Sequence, residues 1–233
     1  MVQSSQSGPE SDLVELTRDS FRVANQAAAA AAEGMATGSR QFFLKVRECE
    51  RELDSLDRDL DDLVTTTITR VPEDEARKLL ACMKIGIALE RIGDLLLSFA
   101  NRAESAATQM DNDDVRDFIT MATQLKRMVA LAEAAFRESS LDKAVDVLRA
   151  DAEIDRLRNV ITFRHLEPAG GVRHLDSFHV LFMAQEIERA GDHIKNIAEE
   201  VCHLVSGRTV RHVLRSYDRP VEQLFLDHIK HRA

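Results

Sequence analysis

At 233 residues, with 44% hydrophobic and 30% charged content, the chain is long enough for one or two cores and shows no compositional sign of general disorder. A formal net charge of −9 argues against a nucleic-acid backbone as the main partner, since that needs a basic patch, and repels free phosphate unless a metal intervenes. Cys49, Cys82 and Cys202 have no CxxC spacing, which argues against a disulfide framework or a thiolate zinc site; with no basic-then-apolar leader and no run of about 18 apolar residues, a soluble cytoplasmic protein is expected.

Four prolines, one tyrosine and no tryptophan, beside abundant Ala, Leu, Glu and Arg, favour helix over sheet. Residues 1–11 read as a flexible tail rich in Ser, Gln, Gly and Pro. Asp12 reads as the cap of a first helix that runs through Leu13, Leu16, Phe21 and Val23 into the alanine run Ala27–Ala32 and stops near Gly34 and Gly38. Such a run gives helix propensity and close approach to a neighbour. Apolar residues at helical spacing predict a second helix over 40–66, with a strongly acidic opposite face. Val71-Pro72 breaks it, Pro72 taking the first position of a third helix that extends to about residue 108.

Asp111-Asn112-Asp113-Asp114 is a joint of capping and turning residues, after which the pattern restarts. A fourth helix is expected over 114–136, a fifth over 141–165 and a sixth over 174–205, separated by Ser139-Ser140 and by Glu167-Pro168-Ala169-Gly170-Gly171. A short amphipathic helix with Val221, Leu224, Phe225 and Ile229 ends the chain. The expected architecture is all-α: two tandem three-helix bundles over 12–110 and 111–212, related by internal duplication, and a C-terminal tail helix in 213–233.

The duplication shows in Glu90-Arg91-Ile92-Gly93-Asp94 and Glu188-Arg189-Ala190-Gly191-Asp192, which are 188 − 90 = 98 residues apart. A second acidic pair precedes each, Glu50 with Asp54 and Asp151 with Asp155. Residues four apart share a helix face, so Glu188, Asp192 and Asn196 form a ladder of oxygen donors. Counted from a turn at residue 69, Glu50 lies 19 residues before and Glu90 21 after, a height difference of about 3 Å at 1.5 Å per residue. With a turn at residue 170, Asp151 lies 19 before and Glu188 18 after. Four carboxylates at one level repel unless something positive sits among them. Oxygen-rich sites of this kind suit iron, manganese, magnesium or calcium. The competing interpretation is that the acids face solvent and pair with Arg51, Arg91, Arg156 and Arg189.

The phrases Leu89-Glu90-Arg91-Ile92-Gly93-Asp94 and Glu188-Arg189-Ala190-Gly191-Asp192-His193-Ile194-Lys195-Asn196-Ile197-Ala198-Glu199 resemble the paired signatures of the PhoU family, regulators of bacterial phosphate uptake. The resemblance covers about residues 12–212 and implies tandem three-helix bundles that bind metal clusters and are not enzymes. Carried over by position, the implied metal ligands are Glu50, Asp54, Glu90 and Asp94 in one half, and Asp151, Asp155, Glu188, Asp192 and Asn196 in the other. The implied cofactors are metal ions, iron or manganese first, with zinc, magnesium and calcium as alternatives. The implied partners are a phosphate ABC transporter ATPase and a sensor histidine kinase, reached by peripheral membrane association, with no nucleic acid and with a homodimer as an option. The implied role is negative regulation of phosphate uptake and of phosphate-starvation transcription.

Ser98 and Asn101 depart from the signature's Asn and Glu, so the first half is expected to hold metal less firmly than the second, where Asn196 and Glu199 keep the pattern. A carboxylate-bridged di-metal enzyme is the rival reading, but its pair of Glu-x-x-His motifs is reduced here to Glu200 and His203, beyond the ladder. A metal-free scaffold, whose acidic faces dock basic side chains of a partner, is the third.

Overall fold

The computed structural model describes residues 9–106, 110–166 and 175–207. Within them lie the helices α1 (Pro9–Thr37), α2 (Arg40–Thr67), α3 (Glu73–Ala106), α4 (Asn112–Glu138), α5 (Leu141–Ala150), α6 (Ala152–Leu166) and α7 (Leu175–Ser206), with a short 3-10 turn over Ile68–Arg70 after α2. No strand occurs among the described residues. The loop expected over 167–171 and the amphipathic tail helix lie outside the described residues.

Local chemistry sets most of the ends. Asp111 caps α4, its side chain accepting a hydrogen bond from the Asp114 amide at 2.8 Å, and Asp113 and Asp114 place negative charge in the first turn, where the helix dipole favours it. Pro72 stands just before α3 rather than in its first position, and its carbonyl accepts from the Ala76 amide at 2.9 Å. Helix α1 begins at Pro9, so Asp12 lies inside its first turns and is not its cap, and residues 9–11 belong to the helix rather than to a tail.

The expected fifth helix is two helices. Gln124 of α4 donates its side-chain amide to the Ala150 carbonyl at 2.7 Å, taking the acceptor that residue 154 would use in an unbroken helix. The Ile154 amide turns instead to the Asp151 carbonyl, at 2.9 Å. A side chain inserted into the backbone ladder is a recognised cause of a kink, and here it sets Asp151 at the corner.

Helices α1, α2 and α3 form one bundle; α4, the α5–α6 pair and α7 form the other. The most extensive pairing in the molecule is α3 against α7, and α1 packs on α4 as well as on α2 and α3. Ala24 and, in the alanine run, Ala27, Ala28 and Ala31 of α1 are fully buried in the core. Phe99 of α3 meets Phe118 of α4 edge to face at 5.7 Å, and Phe21 of α1 meets Phe136 of α4 at 5.9 Å. Core residues from both bundles therefore form one contiguous cluster.

The glycine of each repeated phrase is a point of close approach. A Cβ on Gly93 would lie 2.7 Å from Leu53 Cδ1, and one on Gly191 would lie 3.0 Å from Asp151 Oδ1. Glycine here lets α2 and the α5–α6 corner come up against the acidic turns of α3 and α7.

Candidate metal-binding faces

In the first half, α2 carries Glu50, Asp54 and Asp57 against Glu90 and Asp94 of α3. The Glu50 Cα lies 3.7 Å from where a Gly93 Cβ would be, which sets Glu50 level with the Gly93-Asp94 turn. The carboxyls act on one another. Burial raises the Glu50 carboxyl above its usual range, and Asp54 and Asp94 add to the shift. Burial and the neighbouring Asp94 push Glu90 up to about 7, with Asp57 and Asp54 contributing and Arg91 opposing. Arg91 bonds Asp94 at 2.9 Å and approaches Glu90 at 3.4 Å, but its side chain is 57% exposed and leaves most of the acidic charge uncompensated. In their present rotamers no three His, Cys, Asp or Glu side chains among the described residues converge on a metal position.

This electrostatic crowding has a measurable consequence. A carboxyl whose folded-state pKa exceeds its unfolded value destabilises the fold increasingly as pH rises from about 4.5 through about 7. Glu90→Gln removes that penalty. In the presence of EDTA, the variant should be more stable than the parent at pH 8 by about 1 kcal/mol, after discounting for solvent screening, and should gain nothing at pH 4.5. Thermal melts at the two pH values check this; an equal difference at both would contradict it.

The second half is arranged differently. Asp151, 4% exposed, turns inward from the α5–α6 corner. Lys195 of α7 places its Nζ 2.5 Å from Asp151 Oδ2 and 2.6 Å from Asp192 Oδ1. Burial opposes the ammonium charge, but the bonds to Asp151 and Asp192 outweigh it and raise the lysine above its usual range. Burial pushes Asp151 up to about 6, against the pull of Lys195, so the pair remains ionised at neutral pH. Glu188 is raised by burial and by Asp192, and Arg158 stands 3.5 Å from it. Asp155 acts on both Asp151 and Glu188, so this acidic group is also brought together. Asn196 lies half-buried one turn beyond Asp192.

Of the arginines in the competing interpretation, Arg91 pairs with Glu90 and Asp94, while Glu188 is approached by Arg158, which lies outside that set. Arg156 bonds Glu153 at 2.7 Å, and Arg51 donates to the Arg47 carbonyl at 3.2 Å. The two positions that depart from the family signature are engaged elsewhere: the Ser98 hydroxyl donates to Glu186 of α7 at 2.6 Å, and Asn101 accepts from Arg47 at 2.7 Å. Arg102 also bonds Glu186, at 2.9 Å, while lying over the Phe182 ring.

Sequence reasoning missed a second polar group. Arg164 bonds Asp114 at 2.5 Å and Asp117 at 2.7 Å, and His165 Nε2 lies 2.8 Å from the other Asp114 oxygen with its Nδ1 3.2 Å from Ser177 Oγ. This cluster ties the end of α6 and the start of α7 to the first turn of α4. Its only sequence signal is an Asp-rich helix start, which capping alone explains.

The fold defines a class: all-helical proteins built from a duplicated bundle, with carboxylates at corresponding places in the two halves. The PhoU domain matches residues 17–103 and again 118–201, and the chain belongs to the PhoU family. It is 30% identical over 179 residues to a phosphate-specific transport system accessory protein PhoU homolog of Pseudomonas aeruginosa, covering 72% of each chain. It is 26% identical over 212 residues to the homolog of the same description from Clostridium acetobutylicum, covering 86% of this chain and 95% of that one. The fold matches the crystal structure of PhoU from Pseudomonas aeruginosa with a TM-score of 0.76 at 22% identity, over 84% of this chain and 97% of that one. It matches the phosphate transport system regulatory protein PhoU from Streptococcus pneumoniae with the same TM-score of 0.76 at 17% identity, over 85% and 96%.

Proposed function

We propose that this protein is a metal-supported accessory regulator of a phosphate-specific transport system, an adaptor on the transporter's ATPase or its sensor histidine kinase and not a catalyst. The observation that carries this is the match of both halves to the PhoU domain, together with relatives described as accessory proteins of phosphate-specific transport. Acidic helical faces favour an adaptor that meets basic partner surfaces. No described helix is long and apolar enough to cross a membrane, so attachment to a transporter would run through protein contacts.

The first half fits a hard cation by its donor set. Glu50, Asp54, Glu90 and Asp94 offer only oxygens, and their mutual repulsion rewards a positive ion among them. Manganese or iron bound there would neutralise these carboxylates and hold α2 to α3; side-chain rotation would bring the ligands together.

Deletion of the gene tests the regulatory role: phosphate uptake should become derepressed in phosphate-replete medium, and cross-linked pull-down should recover the transporter ATPase or the kinase. Normal uptake control with neither partner recovered would leave the fold standing and defeat the assignment. For the metal, Glu90→Gln with Asp94→Asn should lower manganese or iron content, read by elemental analysis of the purified protein. Unchanged content would refute the first-half assignment.

A further inference from the structure

The two acidic faces differ at one decisive position. Three residues after Asp192 stands Lys195; three residues after Asp94 stands Leu97. Lys195 reaches across from α7 to the α5–α6 corner and bridges Asp151 and Asp192 with one ammonium group, at 2.5 and 2.6 Å. We infer that Lys195 is a built-in cation for the second half, which takes no metal ion, so that metal binding, on the reading proposed above, belongs to the first half alone.

Three observations carry the argument. First, the ammonium lies at about the oxygen distance that a hard cation would adopt, since such ions sit about 2.0 to 2.6 Å from their oxygen ligands; a metal using these oxygens would have to displace Nζ and meet its positive charge. Second, the other oxygen of Asp151 cannot serve an outside ion. Asp151 Oδ1 is buried without a partner and sits over Gly191, in surroundings to which Ile154 Cδ1 and Met128 Cε also belong, so it faces the core. Third, the corner that aims Asp151 at Lys195 is fixed by the Gln124 bond to the Ala150 carbonyl, which needs no ion. The order of metal strength expected from the signature positions is therefore reversed. Asn196 and Glu199 complete the motif, but the ammonium already stands between Asp151 and Asp192.

Lys195→Leu, which copies the first half, provides the test. In EDTA the variant should melt about 5 °C below the parent, because Asp151 loses its counter-charge. Adding Mn2+ should restore the melting temperature and raise bound manganese above the parent's content. Lys195→Arg, which keeps the charge, should bind no additional manganese. In the parent background, Asp192→Asn should leave manganese content unchanged. A Lys195→Leu protein that gains no manganese and is not stabilised by it would overturn the inference, as would loss of metal from the parent on Asp192→Asn. Failure of the metal reading itself has a different signature, a parent whose manganese does not depend on Glu90 and Asp94, and the gain in Lys195→Leu is measured independently of it.

Discussion

Asp114→Ala should lower the stability of the protein by about 3 kcal/mol, since removing one partner of a buried ion pair strands the other. The carboxylate is 1% exposed and is shared by Arg164 and His165. In its absence Arg164 keeps Asp117, but the imidazole keeps only Ser177. The effect should concentrate where α6, α7 and α4 meet. Hydrogen exchange should report the largest acceleration at the end of α6 and the start of α7. Ser177→Ala, which removes a 3.2 Å contact at a half-buried position, should cost less than 1 kcal/mol. Equal losses for both variants would show that the cluster is not held through Asp114.

Phe99→Ala should be more damaging, about 3 to 5 kcal/mol, because it opens a cavity in the core. Phe99 is fully buried and meets Phe118 at 5.7 Å across the junction of the two bundles. Denaturant unfolding measures the loss. The informative comparison is Phe99→Leu, which keeps most of the volume and should recover much of the stability. If Phe99→Ala cost less than 1 kcal/mol, the two bundles would not share a working core.

Much of this was legible in the chain. Apolar spacing placed the second helix within a residue or two of its observed ends, and the repeated Glu-Arg-x-Gly-Asp phrase announced the duplication and the helices that bear the acids. Counting residues from each turn put the acidic pairs at one level, and the mutual effects among Glu50, Asp54, Glu90 and Asp94 agree with that placement. The break at Asp151 was not legible, because an apolar pattern continues through Ile154 and Leu157 on the same face. What interrupts the helix is Gln124, 26 residues away in sequence, and a tertiary hydrogen bond leaves no mark on local periodicity. Lys195 shows the same limit from the other side. Its i+3 spacing to Asp192 is visible, yet its more consequential partner, Asp151, depends on how the α5–α6 corner turns. A lysine on a polar helix reads as one more solvated charge until its neighbour on another helix is placed.

The contact of α1 and α3 with α4 and α7 gives the repeat a particular inheritance. A duplicated unit that kept its own core would retain the option of folding, binding and failing alone, like beads on a string. Here the alanine face of α1 and the Phe99–Phe118 contact knit the copies together, so neither half owns the interior it helps to fill. Whatever stabilises one half is then shared by the other through mass action, because opening either exposes surface belonging to both. An ion held between α2 and α3 would consequently protect backbone amides in α4, on helices it never touches, and the lysine-filled half would inherit metal responsiveness without possessing a metal.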